Sequence, residues 1–162
     1  MIVSLHVASG AAVGAASGSR GRAVALGLLA HLLGDRMPHQ DLPSRRFELR
    51  SGVALLLLVA ARRGAFDPAT IGAAAASSPD LEHVVRLARP GGRKLFPSHR
   101  FYGWHRAGGL PTWLQLLAAG ALAGLVVAGS PPGAIGAGQG PWVRRRPPPP
   151  RCEPIAENRT RG

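Results

Sequence analysis

The stretch TWLQLLAAGALAGLVVAG, residues 112–129, decides the fold class of this chain. It carries no charged residue, and most of its positions are Ala, Gly or Leu. A helix needs about 20 apolar residues to cross the hydrocarbon layer of a bilayer, and small residues let such helices pack closely. This run approaches that length without interruption, so it predicts a membrane helix.

Four shorter apolar segments precede this run and predict further helices. They cover residues 5–17, 23–35, 46–61 and 67–78. Together with the run at 112–129 they predict an all-α fold, a small membrane bundle of four to five short helices within residues 1–129. The alternative is a soluble helical bundle, because each of the four segments is short for a membrane span.

The sequence changes character at residue 130. Residues 130–162 are rich in Pro, Gly and Arg, and they include the run RRRPPPP at 144–150. Such a composition cannot bury a core. We therefore predict a helical domain over residues 1–129 and a disordered basic tail over 130–162.

The net charge of +12 restricts the partners. A basic excess fits nucleic acid, anionic lipid or the orientation of a membrane protein. The basic residues are spread over loops and the tail without an aromatic-basic platform, so nucleic acid is not the expected partner. The loops at 36–50 and 86–106 carry more basic residues than the loops at the opposite end of the helices. For a multi-pass protein of the cell membrane, this predicts that the end with these two loops faces the cytoplasm.

The six histidines all precede the tail, and several have acidic neighbours. They are His6, His31, His39, His83, His99 and His105. His31 and Asp35 are one helical turn apart, and Asp80 and His83 are spaced similarly. If the first four helices alternate in direction, these residues meet at one end of the bundle.

Histidine and carboxylate side chains together suit zinc, manganese or iron, and two such clusters could hold two metals. Zinc is the expected metal. The single cysteine, Cys152, rules out a disulfide within the chain and a cysteine-based zinc finger. A metal-activated water hydrolyses esters near neutral pH, and arginines such as Arg36 and Arg100 could hold a substrate phosphate. Taken alone, a histidine such as His31 in an apolar helix is more often a hydrogen-bonded core residue than a ligand. His99 and His105 flank aromatic residues typical of a membrane interface.

The segments HLLGDRMPHQD (31–41) and SPDLEHV (78–84) resemble motifs of the bacterial membrane-bound metal-dependent hydrolases called YdjM-like, which are distantly similar to zinc-dependent phospholipases C. Members of that family also begin with a histidine in a small-residue helix, as in HVASGAAVG (6–14). The resemblance covers about residues 1–128. One departure is Glu82, where members carry Asp. The other is HRFYGWH (99–105), where many members have an HRGxTH-like motif: here the second histidine comes one residue later and the Thr is absent.

The resemblance implies a set of metal ligands and a reaction. The implied ligands are His6, His31, Asp35, Asp80 and His83. Glu82 would be a further ligand or the base that activates the water, and the additional candidates are His39, Asp41, His99 and His105. The implied function is hydrolysis of a phosphoester or lipid-like substrate, with membrane lipid as a partner. The alternative is a non-catalytic membrane scaffold or accessory protein, in which the same side chains would be dispersed.

Overall fold

Six α-helices and no β-strand make up the described part of the chain, which comprises residues 1–85, 90–106 and 108–129 of a computed structural model. The helices are α1 Val3–Ser17, α2 Arg20–Arg36, α3 Arg45–Arg63, α4 Pro68–Ser77, α5 Pro97–Arg100 and α6 Thr112–Ala128. The all-α prediction is confirmed. The prediction of four to five helices missed only the one-turn α5, and the predicted tail lies outside the described residues.

Local capping explains where the long helices begin. The Ser19 and Ser44 hydroxyls accept hydrogen bonds from backbone N–H groups in the first turns of α2 and α3. Asp67 caps α4, and Pro68 occupies its first turn. The cap at Ser19 starts α2 three residues before the predicted position, so Arg20 and Arg22 lie within the helix.

Helix α1 lies at the centre and contacts α2, α3, α4 and α6. Its contact with α4 is a backbone-to-backbone contact, because a Cβ atom at Gly10 would collide with the Gly72 carbonyl and one at Gly72 with the Gly10 carbonyl. The Ala- and Gly-rich composition thus lets the helices approach each other closely.

A buried glutamine ties α6 to the connections at one end of the bundle. Gln115 Nε2 donates hydrogen bonds to the carbonyls of Gln40 at 2.8 Å and Leu110 at 3.1 Å. Its Oε1 accepts one from the Ile2 N–H at 3.1 Å. The start of α1, the segment after α2 and the segment before α6 are therefore held at one place.

Large apolar side chains are exposed on the outer surfaces of α2, α3 and α6. They include Val24, Leu26, Leu29, Leu33, Val53, Leu57, Leu58, Trp113, Leu117 and Leu125. Among the described residues, no helix combines the length and the apolar character that crossing a membrane requires.

Candidate metal centre

Side chains from α1, α2 and the connection between α4 and α6, which includes α5, converge on Asp35 in the last turn of α2. His6 Nε2, from α1, lies 3.1 Å from Asp35 Oδ1. His31 Nε2, one turn earlier in α2, lies 3.0 Å from Asp35 Oδ2. All three side chains are buried. The convergence expected from the alternating helices is therefore present in the structure.

The connection between α4 and α6 closes over the same carboxylate. His99 Nε2 and His105 Nε2 lie 3.5 and 3.3 Å from Asp35 Oδ2. The buried Ser98 hydroxyl donates a hydrogen bond to that oxygen at 2.7 Å. The structure thus brings together the two histidines whose spacing departs from the family motif, and it adds a serine that the sequence analysis did not single out.

Asp80 and His83 complete the cluster from a 3-10 turn, Ser78–His83, that directly follows α4. Asp80 Oδ1 lies 3.7 Å from His99 Nε2. Three groups of side chains each bring their ligand atoms within 4.8 Å of one another. They are His6, His31 and Asp80; His31, Asp35 and His99; and Asp80, His83 and His99. Because neighbouring groups share members, the arrangement is compatible with one metal or with an adjacent pair. We call these six residues together with His105 the Asp35 cluster.

Three histidines are oriented by a hydrogen bond from Nδ1 to an oxygen, at 2.6–2.7 Å. The pairs are His31 with the Ala76 carbonyl, His39 with the Met37 carbonyl, and His99 with a Glu82 carboxylate oxygen. Since these oxygens accept, Nδ1 carries the proton, and Nε2 keeps a lone pair whenever the ring is neutral. Metal-binding histidines are typically held in this way.

Unpartnered buried atoms provide a test of whether a metal fits. Among the described residues, four side-chain atoms are buried without a hydrogen-bond partner: Ser4 Oγ, and in the cluster His6 Nδ1, His31 Nε2 and Asp80 Oδ2. Burying a polar atom without a partner is costly, so such atoms are uncommon. A cation among the three cluster atoms would satisfy their lone pairs, and imidazole nitrogens with carboxylate oxygens are ligands that zinc prefers. The residues present therefore fit a divalent metal.

Burial changes the proton affinity of the residues that follow α4. It raises the pKa of Asp80 to about 6. It also lowers the pKa of His83 to about 4, and nearby His99 and Lys94 act in the same direction. His83 is therefore neutral at physiological pH. Burial lowers the pKa of His99, but its hydrogen bonds with Asp35 and Glu82 outweigh burial and raise it overall.

Glu82 contacts His99 Nδ1 and does not line the central cavity that is described below. Its carboxylate accepts hydrogen bonds from the backbone N–H groups of Leu95, at 2.8 Å, and Phe96, at 3.3 Å, besides the one from His99. Although burial raises the pKa of Glu82, these bonds outweigh burial and lower it. The carboxylate fixes the ring of His99, and its predicted role as a base stays a prediction.

An open cavity of about 410 Å³ gives access to the Asp35 cluster, and we call it the central cavity. Asp35, Asp80, His83, His99 and His105 line it, as do two cationic side chains, Arg45 and Lys94. Met1 also lines it, and its ammonium lies 3.2 Å from Asp35 Oδ1.

The predicted phosphate-binding arginines do not line the central cavity. Arg36 donates a hydrogen bond to the Gly103 carbonyl at 3.3 Å and lies over the Trp104 ring, whereas Arg100 is exposed. Sequence position placed several arginines at this end of the bundle, but the direction of each side chain depends on the fold. The structure places Arg45 and Lys94 at the cavity in their stead.

His39 and Asp41 lie beside the cluster. His39 is buried, and its Nε2 is 3.4 Å from Asp41 Oδ1. Asp41 lines the central cavity, but its side chain is 85% exposed. The ring of His39 lies 5.7 Å from that of His105. These two predicted additional ligands are therefore close to the Asp35 cluster, with Asp41 at its solvent-exposed edge.

No family model, curated protein or solved structure matches this chain.

Proposed function

We propose that this protein is a membrane-bound metal-dependent hydrolase that acts on a phosphoester or lipid-like substrate, with zinc as its preferred metal. The observation that carries the proposal is the convergence of His6, His31 and His99 on the Asp35 carboxylate beside an open cavity. A scaffold whose polar residues merely pack helices would leave these side chains dispersed.

The metal would be held by the His31, Asp35 and His99 group and by the groups that share its members. When bound, zinc supplies Lewis acidity and lowers the pKa of water to about 7. The chain itself supplies orientation: the Ala76 carbonyl holds the His31 ring, and Glu82 holds the His99 ring. Such supporting contacts keep ligands in place and raise their basicity.

Two cations on the wall of the central cavity support a phosphoester as substrate. Arg45 and Lys94 both line the cavity, beside His83. Arginine matches the oxygens of a phosphate with paired N–H groups, and lysine binds phosphate as a point charge. A phosphoester could therefore contact the cations and the metal ligands at the same time.

Exposed apolar side chains support the membrane location. Leu57 in α3, Leu117 in α6 and Leu125 in α6 are 63%, 62% and 73% exposed. Extended apolar surfaces of this kind mark contact with a membrane or another protein. Arg45, Arg46 and Arg50 lie at the end of α3 that carries the cluster, and Arg62 and Arg63 lie at the other end. By the positive-inside rule, the excess at the cluster end supports a cytoplasmic position for that end.

The test compares an aspartate of the cluster with one outside it. Asp35→Asn removes the carboxylate at the centre. Asp67→Asn, at the end of α4 remote from the cluster, is the matched control, because asparagine is also a good N-cap. We expect stoichiometric zinc in the wild-type protein by elemental analysis, and zinc-dependent hydrolysis of bis(p-nitrophenyl) phosphate. Both should be lost in Asp35→Asn and retained in Asp67→Asn. A wild-type protein without bound metal, or equal hydrolysis by Asp35→Asn, contradicts the proposal.

The membrane location has its own test. After cell lysis and washing with alkaline carbonate, we expect the full chain to stay in the membrane pellet and to be released by detergent. Recovery in the carbonate supernatant contradicts an integral membrane protein and leaves the metal site to be judged by the zinc experiment.

A further inference from the structure

The central cavity adjoins a second cavity of different character. The second cavity, of about 330 Å³, lies between α1, α3, α4 and the turn that follows α4, and we call it the apolar groove. Its walls are mainly aliphatic and include Val3, Val7, Leu49, Val53, Leu56 and Leu81. Val3, Leu49, Asp80 and Val84 line both cavities, so the groove begins where the Asp35 cluster ends.

The two cations lie at the polar end of this composite site. Arg45 donates a hydrogen bond from Nη2 to the His83 carbonyl, and Lys94 Nζ lies 3.4 Å from His83 Nδ1. Among the ion pairs of the described residues, neither cation is within 4.0 Å of a carboxylate. Both residues thus line the cavity without an ion-pair partner among the described residues.

The acids of the central cavity have other partners. Asp35 contacts histidines, the Ser98 hydroxyl and the Met1 ammonium. Asp41 contacts His39, and Glu48 accepts a hydrogen bond from the Val3 N–H at 3.4 Å. Asp80 lies beside His99. An anion at the wall formed by Arg45 and Lys94 would therefore meet two cations that the neighbouring acids do not neutralise by direct contact.

We infer that the substrate is a single-chain amphiphile: its phosphate binds between Arg45 and Lys94, and its aliphatic chain lies in the apolar groove. This inference rests on the proposed function for the reaction, but it concerns binding and can be tested separately. Ligand pockets range from about 300 to 1,000 Å³, so a groove of 330 Å³ is at the lower end and suits one chain rather than two.

The first experiment measures binding of butyl, octyl and dodecyl phosphate to the full chain in lipid nanodiscs, with and without zinc. While the chain still enters the groove, each added methylene should tighten binding about fourfold. The ligand partitions into the nanodisc lipid to the same extent for every variant, so a difference in affinity between variants reflects binding to the protein. If the wild type and the groove variant Ala74→Leu bind each of the three ligands equally well, the inference is overturned.

The groove variant is Ala74→Leu, because Ala74 lines the apolar groove at an exposed position of α4 that tolerates a larger side chain. Ala121→Leu, at an exposed position of α6 outside the groove, is the control. We expect Ala74→Leu to remove the gain from octyl and dodecyl chains while zinc content and butyl phosphate binding are unchanged. An unchanged chain-length dependence contradicts the groove as the chain site.

The cation variants are Arg45→Gln and Lys94→Gln, and their controls are the adjacent exposed residues in Arg46→Gln and Arg93→Gln. Loss of one charge-assisted hydrogen bond should weaken butyl phosphate binding about tenfold to a hundredfold. The controls should bind as the wild type does. Because Arg45→Gln also removes the bond to the His83 carbonyl, the result for Lys94→Gln decides: unchanged binding there overturns the phosphate assignment.

Failure of this inference differs from failure of the proposed function. Zinc-dependent hydrolysis with no effect of chain length, Ala74→Leu or Lys94→Gln overturns the inference alone. A protein that binds no zinc and hydrolyses no phosphoester overturns the proposed function, whereas chain-dependent binding of alkyl phosphates in that protein still supports the amphiphile site.

Discussion

His31 Nε2 faces Asp35 Oδ2 at 3.0 Å, one turn apart in α2, while the Ala76 carbonyl holds the proton of His31 on Nδ1. In the neutral ring, both facing atoms carry lone pairs and repel each other. A proton or a metal ion between them relieves the repulsion. The carbonyl of α4 therefore prepares a histidine–carboxylate pair of α2 to receive a cation.

Removing the metal should lower the stability of the folded protein. A ligand that binds only the native state stabilises it by about 4 kcal/mol when its free concentration is a thousand times the dissociation constant. We expect EDTA to lower the thermal unfolding temperature of the wild type and added zinc to restore it. The unfolding temperature of Asp35→Asn should not respond to EDTA. A wild-type temperature that is equal with and without EDTA contradicts a bound structural or catalytic metal.

The Glu82→Gln variant distinguishes two roles of Glu82: orienting the metal ligand His99, or acting as the base that activates water. Its hydrogen bond with His99 Nδ1 makes it a supporting contact of a metal ligand. Loss of such a contact typically weakens metal binding about 10- to 100-fold. We expect weaker zinc binding by competition with a chelating dye, and near-normal hydrolysis once zinc is saturating.

The control for this variant is Glu48→Gln, since Glu48 lines the central cavity without contacting a histidine of the Asp35 cluster. Its zinc affinity should equal that of the wild type. If Glu82→Gln instead keeps its zinc affinity and loses hydrolysis at saturating zinc, Glu82 acts as the base that the family resemblance implies.

Much of the fold could be predicted from the sequence because helix formation depends on local signals. Apolar runs, caps and prolines set the five long helices, and α4 begins at Pro68, one residue after the start of the predicted segment 67–78. The one-turn α5 was missed because its four residues carry no helical periodicity. It is held by contacts that link distant segments, such as the bond from Ser98 to Asp35.

The candidate site was predictable in part. Alternating helices place His6, His31 and Asp80 at one end whatever their side-chain rotamers, and the distances agree. The groups that orient the histidines include the Ala76 and Met37 carbonyls, which carry no sequence signature because every residue has a carbonyl. The choice of Arg45 over Arg36 depends on side-chain direction, which is set only by tertiary packing.

The Gly10→Ala variant should destabilise the bundle. Its new methyl group would collide with the Gly72 carbonyl and the Ala76 side chain, so α1 and α4 must move apart. Overpacking of this kind costs about 1–3 kcal/mol. Gly120→Ala in α6 is the control, because nothing lies within 4 Å of its added methyl group. Alanine there should stabilise the helix by about 0.5–1 kcal/mol. Denaturant unfolding measures both, and equal stability of the two variants contradicts the close packing of α1 and α4.

The Gln115→Leu variant should loosen the end of the bundle that carries the Asp35 cluster. Leucine keeps most of the volume but leaves the Ile2 N–H and the carbonyls of Gln40 and Leu110 without this partner. A buried group left unsatisfied costs about 1–3 kcal/mol, so we expect a loss of that order in denaturant unfolding. The matched control is Gln40→Leu, since the Gln40 side chain is exposed and its backbone carbonyl stays in place. Hydrogen exchange of the Ile2 amide should accelerate in Gln115→Leu and stay unchanged in Gln40→Leu. Equal exchange in both variants contradicts a structural role for the buried glutamine.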